Sequence, residues 1–122
     1  MEPLLALQTA TVLFGLAALG GVLMAVLRFR GAPRPPSSIA MVHGLVAAAG
    51  LTLLLYFGAT KGIPPLAQAA TGVFLVAALG GLYLNIQFHS KLQPLPIPVM
   101  LLHALIAVVG FVLLLVAVLQ PA

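Results

Sequence analysis

The sequence predicts an all-α membrane protein with four transmembrane helices, built as two parallel two-helix repeats with a period of 60 residues. Hydrophobic residues make up 63% of the 122 residues and charged residues only 5%, whereas roughly a quarter of the residues of a soluble domain are charged. Four apolar segments of about 20 residues, the length that crosses a bilayer core of about 30 Å, fill nearly the whole chain. We therefore expect the lipid bilayer to surround a single domain over residues 1–122.

The repeat is visible directly in the sequence. Residues 10–56 align with residues 70–116 without a gap and are identical at 16 of 47 positions, including the run A-A-L-G-G at 17–21 and at 77–81. Each unit, about 3–58 and about 63–119, is a two-helix hairpin, so both units enter the membrane in the same direction. Equivalent residues of the two units are then expected at the same depth, across a pseudo-twofold axis along the membrane normal.

Proline and glycine delimit the four predicted helices, at about 3–27, 37–57, 65–88 and 98–119. Proline is favoured in the first turn of a helix, and the Pro/Gly-rich connections between these segments cannot continue one. The first segment begins Met-Glu-Pro without a basic region, so it is expected to be a membrane span and not a signal peptide.

The basic residues are distributed unequally over the connections. Lys61 alone lies in connection 2–3, and the other four lie in or beside connections 1–2 and 3–4: Arg28, Arg30, Arg34 and Lys91. Because positively charged connections stay in the cytoplasm, we expect connections 1–2 and 3–4 inside and both termini outside, in a bacterial inner membrane.

The composition excludes several classes of function. Cysteine is absent and Glu2 is the only acidic residue, so thiolate metal sites, iron–sulfur clusters and paired-carboxylate catalysis are not possible within this chain. Nucleic-acid binding requires a clustered, solvated basic face, which this sequence lacks. We expect the protein to have no catalytic activity of its own.

Two histidines occupy equivalent positions of the repeat, His43 in the second helix and His103 in the fourth. An imidazole inside a bilayer is costly unless it is paired or liganded. Each histidine lies seven residues after a proline, about 10 Å along its helix. Diagonal helices of a bundle lie about 12–14 Å apart, since neighbours lie about 8–10 Å apart, so two inward imidazoles could hold one iron atom.

Small residues accompany each histidine. Ala47 and Gly50 lie on the helix face of His43, at i+4 and i+7, and Ala107 and Gly110 bear the same relation to His103. Such a surface would let a porphyrin plane lie beside the ring. The alternative is structural, because small residues also allow close helix packing and a histidine can hydrogen-bond across a helix interface.

In these features the chain resembles the small four-helix membrane b-type cytochromes. The resemblance implies a haem b with His43 and His103 as axial metal ligands, and electron transfer involving membrane quinol or a partner protein. The haem propionates would then lie near Arg28, Arg34 and Lys91. Those cytochromes commonly hold two haems on four histidines, whereas this chain has one symmetric pair, so a single haem is expected.

Other functions stay open at this level. The chain could be an accessory or assembly subunit of a larger membrane complex, or a homo-oligomer, with structural histidines. A small multidrug exporter is less favoured, because such exporters depend on a glutamate within the first helix and the only glutamate here is Glu2. A different tetrapyrrole, such as a chlorophyll, could also use the same histidines.

Overall fold

The computed structural model describes residues 1–120, two residues short of the predicted domain of 1–122. It contains four α-helices, Pro3–Phe29 (α1), Ser37–Thr60 (α2), Pro65–Leu84 (α3) and Ile97–Leu119 (α4). A π-helical turn, Asn85–His89, continues α3. All four helices are long and apolar enough to cross a membrane. The prediction of an all-α, four-helix membrane bundle is confirmed, and the finding is consistent with an integral membrane protein.

The helix ends follow from proline and glycine. A proline stands in the first turn of α1, α3 and α4, and Pro36 is the N-cap of α2. Gly31 and Gly62 adopt φ values of 104° and 81°, a left-handed conformation that glycine adopts without strain. They end α1 and α2, which run slightly beyond the predicted ends because the chain stays helical up to these glycines.

The helices form two hairpins. α1 packs most extensively on α2 and α3 on α4, while α1–α4 and α2–α3 contacts join the hairpins. α1 and α3 are therefore one diagonal of the bundle, and α2 and α4 are the other. Large apolar side chains are exposed on every helix, as expected for a bundle that faces lipid.

The hydrophobic core is concentrated in one half of the bundle. It extends from the Phe14 and Phe74 rings, which stack with centroids 3.7 Å apart and planes 2° apart, toward connection 2–3 and the chain ends. The other half, nearer connections 1–2 and 3–4, buries fewer apolar side chains: Ala17, Ala77, Leu84, Leu95 and Met100. The bundle is thus tightly packed on one side of its midpoint and loosely packed on the other.

Connections 1–2 and 3–4 lie at the same end of the bundle and bind each other. The Leu95 amide donates to the Pro33 carbonyl over 3.0 Å. Arg28 Nε donates to the Leu95 carbonyl and His89 Nε2 to the Pro35 carbonyl, each over 3.0 Å. These bonds tie the two hairpins together at the end where the basic residues collect.

Several local features recur at positions 60 residues apart. Residues 41–50 and residues 101–110 show the same order of buried and exposed positions. The Thr11 hydroxyl donates to the Leu7 carbonyl over 2.8 Å, and the Thr71 hydroxyl donates to the Ala67 carbonyl over 2.7 Å. The parallel two-repeat arrangement itself stays a prediction from the sequence.

Candidate functional site

The imidazoles of His43 and His103 face each other between the two diagonal helices α2 and α4. Their ring centroids lie 6.2 Å apart and their planes are inclined by 75°. Both side chains are half-buried. The two histidines that lie within the apolar helices therefore form one site.

Each imidazole is held by a backbone carbonyl of the neighbouring helix. His43 Nδ1 lies 2.7 Å from the Ala17 carbonyl oxygen, and His103 Nδ1 lies 2.8 Å from that of Ala77. A carbonyl oxygen only accepts hydrogen bonds, so Nδ1 carries the proton of the neutral ring, a tautomer assigned from this bonding pattern. The Nε2 atom of each ring therefore keeps its lone pair, the state in which histidine binds a metal.

Two glycine pairs make room for the imidazoles. A Cβ atom on Gly21 would lie 3.2 Å from His43 Cε1, and one on Gly81 would lie 3.1 Å from His103 Cε1. A side chain at either position would push the ring away from its carbonyl. Both glycine pairs, Gly20-Gly21 and Gly80-Gly81, face the histidine of the next helix.

The contact between α1 and α3 is made by the stacked rings of Phe14 and Phe74. Phe14 lies against Gly50, where an added Cβ would lie 2.9 Å from Phe14 Cε2, and Phe74 lies against Gly110 at 3.1 Å. The open surface predicted at Gly50 and Gly110 is therefore occupied by phenyl rings.

The two alanines predicted to line that surface are both half-buried. Ala47 packs against the hydrophobic core, and Ala107 lies at the equivalent position of α4. Of the small residues near the histidines, Gly50 and Gly110 at i+7 accommodate phenyl rings of the neighbouring helices.

The three cations predicted to contact propionates all lie at the connection end, in different environments. Arg28 uses Nε to bind the Leu95 carbonyl, which leaves its terminal nitrogens available. Lys91 donates to Gln87 Oε1 over 2.8 Å, within its own segment of chain. Arg34 lines a cavity between connections 1–2 and 3–4.

The site has the donor chemistry for one metal between two imidazoles. A metal about 2 Å from each ring nitrogen would place the ring centroids about 6 Å apart, and the observed separation is 6.2 Å. A hydrogen bond from the other ring nitrogen to a backbone carbonyl is the usual outer-shell support of such ligands.

The histidine pair offers two protein donors to a metal group. Among residues 1–120, no group of three or more His, Cys, Asp or Glu side chains converges on one point. A four-coordinate zinc site of protein ligands needs more donors than two imidazoles supply, whereas an iron porphyrin needs two axial ligands only. The Phe14–Phe74 stack closes the site on the core side, so a flat macrocycle would have to extend toward the loosely packed half.

Sequence reasoning missed the groups that position the imidazoles, Ala17, Ala77, Gly21 and Gly81, and it missed the Phe14–Phe74 stack. Every one of these is identical in the two repeats, and that identity was the available signal.

No protein-family model matches the chain, and no curated protein or solved structure is significantly similar to it.

Proposed function

We propose that the protein is a small membrane electron carrier that binds one haem b between His43 and His103. The observation that supports this proposal best is the pair of imidazoles 6.2 Å apart, each with Nδ1 bound to a carbonyl and Nε2 available. When bound, haem b supplies a one-electron Fe(III)/Fe(II) couple.

The residues around the pair would prepare the ligands for that role. The bonds to the Ala17 and Ala77 carbonyls fix the orientation of both rings and raise the basicity of Nε2. Gly21 and Gly81 let the rings approach these carbonyls. The Phe14–Phe74 stack forms a rigid apolar floor, which excludes water from the core side of the site.

The propionate groups of such a haem would point toward the connection end, where the cations are. Arg28 is the best placed of the three predicted contacts, because its Nε bond to Leu95 holds the guanidinium in position while its terminal nitrogens stay free for a carboxylate. The site would exchange electrons with a lipid-soluble quinol or with another membrane protein, since the histidines lie in the membrane-spanning helices.

The test is a reduced-minus-oxidised visible spectrum of the detergent-purified protein from haem-sufficient cells. We expect a low-spin b-type α band that disappears in His43→Ala and in His103→Ala, because each variant removes one axial ligand. His89→Ala is the matched control, since this third histidine binds the Pro35 carbonyl at the connection end and should leave the band intact.

A second arm separates ligand loss from misfolding. Added imidazole should restore the band of both alanine variants if the rest of the site is folded. A wild-type protein without a Soret band would contradict the proposal, and the histidines would then be structural residues, as expected for an accessory subunit of a larger complex.

A further inference from the structure

A second candidate site lies at the connection end of the bundle, separate from the histidine pair. It is a cavity of about 510 Å³ between connections 1–2 and 3–4. Its polar lining consists of Arg34, Ser37, His89 and Ser90, and Leu92 lies at its apolar rim. The cavity volume is within the range of about 300–1,000 Å³ of small-molecule sites.

Two of the polar groups in this cavity already have protein partners. His89 Nε2 donates to the Pro35 carbonyl over 3.0 Å, and the Ser90 hydroxyl donates to the Ile86 carbonyl over 2.8 Å. These bonds hold the walls of the cavity in place and leave few hydrogen-bonding groups of His89 and Ser90 free for a ligand.

Arg34 and Ser37 provide the free donors. Within residues 1–120 neither side chain has a hydrogen-bond partner among the side-chain bonds of the structure, whereas Arg28 and Lys91 at the same end do. Arg34 is half-buried, and the only acidic side chain of the protein, Glu2, precedes α1 at the opposite end of the bundle. A partly desolvated guanidinium without a counterion favours an external anion.

The depth of the cavity indicates where that anion comes from. Ser37 begins α2, and His43 lies six residues further on, about 9 Å deeper along the helix. The cavity therefore lies at the end of the apolar spans, at the level where lipid phosphates are found. Basic pockets between transmembrane helices at this level bind the headgroups of anionic lipids.

We propose that this cavity binds the phosphate of an anionic phospholipid, with Arg34 and Ser37 as the direct donors. The apolar rim suits an acyl chain, because Leu92 is 74% exposed and would contact the chain that leaves the headgroup. The proposal does not depend on a haem at the histidine pair.

Native mass spectrometry of the detergent-purified full-length protein tests the proposal. Phosphatidylglycerol is titrated against the wild type, and phosphatidylcholine, which carries a phosphate but no net charge, is titrated in parallel. Arg34→Gln should weaken phosphatidylglycerol binding about tenfold, the loss of a charge-assisted hydrogen bond. Arg30→Gln is the matched control, because Arg30 is an exposed cation of the same connection outside the cavity lining, and it should change binding less than about twofold.

Three further measurements distinguish a lipid phosphate from other anions and from misfolding. Ser37→Ala replaces Arg34→Gln if that variant does not fold, and it should also weaken binding. Inorganic phosphate should bind weakly and displace phosphatidylglycerol only in large excess. His43→Ala should leave lipid binding unchanged, which separates a lipid phosphate from a haem propionate as the anion.

Four results would contradict the proposal, and each has a different explanation. Equal losses in Arg34→Gln and Arg30→Gln would show a general charge effect without a site. Equal binding of phosphatidylcholine would remove the selectivity for anionic lipids. Tight binding of inorganic phosphate with the same dependence on Arg34 would assign the cavity to a free anion. A gain of lipid binding in His43→Ala would show that a haem propionate had occupied the cavity.

Discussion

At the scale of single residues, the position of each imidazole depends on the absence of a side chain on the neighbouring helix. Gly21 and Gly81 expose the carbonyls of Ala17 and Ala77, one helical turn earlier, to the histidine Nδ1 atoms. The adjacent glycines, Gly20 and Gly80, are less constrained. This difference can be tested within each glycine pair.

Gly21→Ala and Gly81→Ala should impair the site. The new Cβ would lie 3.2 Å from His43 Cε1 or 3.1 Å from His103 Cε1, so the ring must move away from its carbonyl, at a cost of about 1–2 kcal/mol in stability. We expect loss of the b-type absorption band in both variants, measured together with thermal unfolding by circular dichroism.

Gly20→Ala and Gly80→Ala are the matched controls. A Cβ there would lie 3.6 Å and 3.7 Å from the nearest histidine atom, an ordinary contact. These changes should keep the band and stabilise the helix by about 0.5–1 kcal/mol. Equal effects of all four substitutions would show that the positions of the imidazoles do not depend specifically on Gly21 and Gly81.

The sequence predicts which residues carry the site but not how they are held. The histidine pair follows from the 60-residue spacing, because equivalent positions of a repeat share a depth. The carbonyl partners depend on the register between α1 and α2 and between α3 and α4, which a pattern within one helix does not fix. The contacts of Gly50 and Gly110 could not be predicted either, because the phenyl rings that pack against them come from other helices.

At the scale of helices, the Phe14–Phe74 stack fixes the separation of the α1–α3 diagonal. Each phenyl ring contacts both the other ring and a glycine, Gly50 for Phe14 and Gly110 for Phe74. A side chain added at either glycine would therefore require the phenyl ring to move.

Gly50→Ala should destabilise the bundle by about 1–3 kcal/mol, the usual cost of overpacking. The added Cβ would lie 2.9 Å from Phe14 Cε2, and the stacking of Phe74 on Phe14 restricts the ring movement that would relieve this contact. Thermal unfolding in detergent measures the effect. Gly44→Ala on the same helix is the control, since a Cβ there meets no atom within 4 Å, and it should be neutral or stabilising by about 0.5–1 kcal/mol. A Gly50→Ala protein as stable as Gly44→Ala would contradict this packing.

The π-helical turn at the end of α3 explains a departure from the repeat. Pro35 and Leu95 are equivalent positions, and each carbonyl accepts a bond from the opposite hairpin, from His89 and from Arg28 respectively. The repeat would pair Arg28 with Phe88. A π-helical turn holds more residues than an α-helical turn. The side chain of His89 therefore lies where the repeat would place the side chain of Phe88. The helix lengths could be predicted from proline and glycine, but this shift could not.

At the scale of the whole molecule, the composition predicts a lipid environment, because a chain with 5% charged residues cannot cover itself in water. The four apolar segments of about 20 residues then predict four membrane-length helices. The uneven distribution of charge predicts that connections 1–2 and 3–4 face the cytoplasm. The contacts between those connections place them at one end of the bundle.

The absence of cysteine makes the orientation straightforward to measure. We predict that Thr60→Cys reacts with a membrane-impermeant maleimide in intact cells, whereas Gln93→Cys reacts only after lysis. Both positions are exposed and uncharged, so neither substitution alters the charge bias itself. The reverse labelling pattern would contradict the predicted topology.

The haem-to-chain ratio of the purified wild-type protein, with the spin state of the oxidised iron, tests the proposed function most directly. A single site between His43 and His103 predicts one low-spin haem per chain, because the two imidazoles can serve one iron only. A ratio of zero from haem-sufficient cells, or of two, would contradict it.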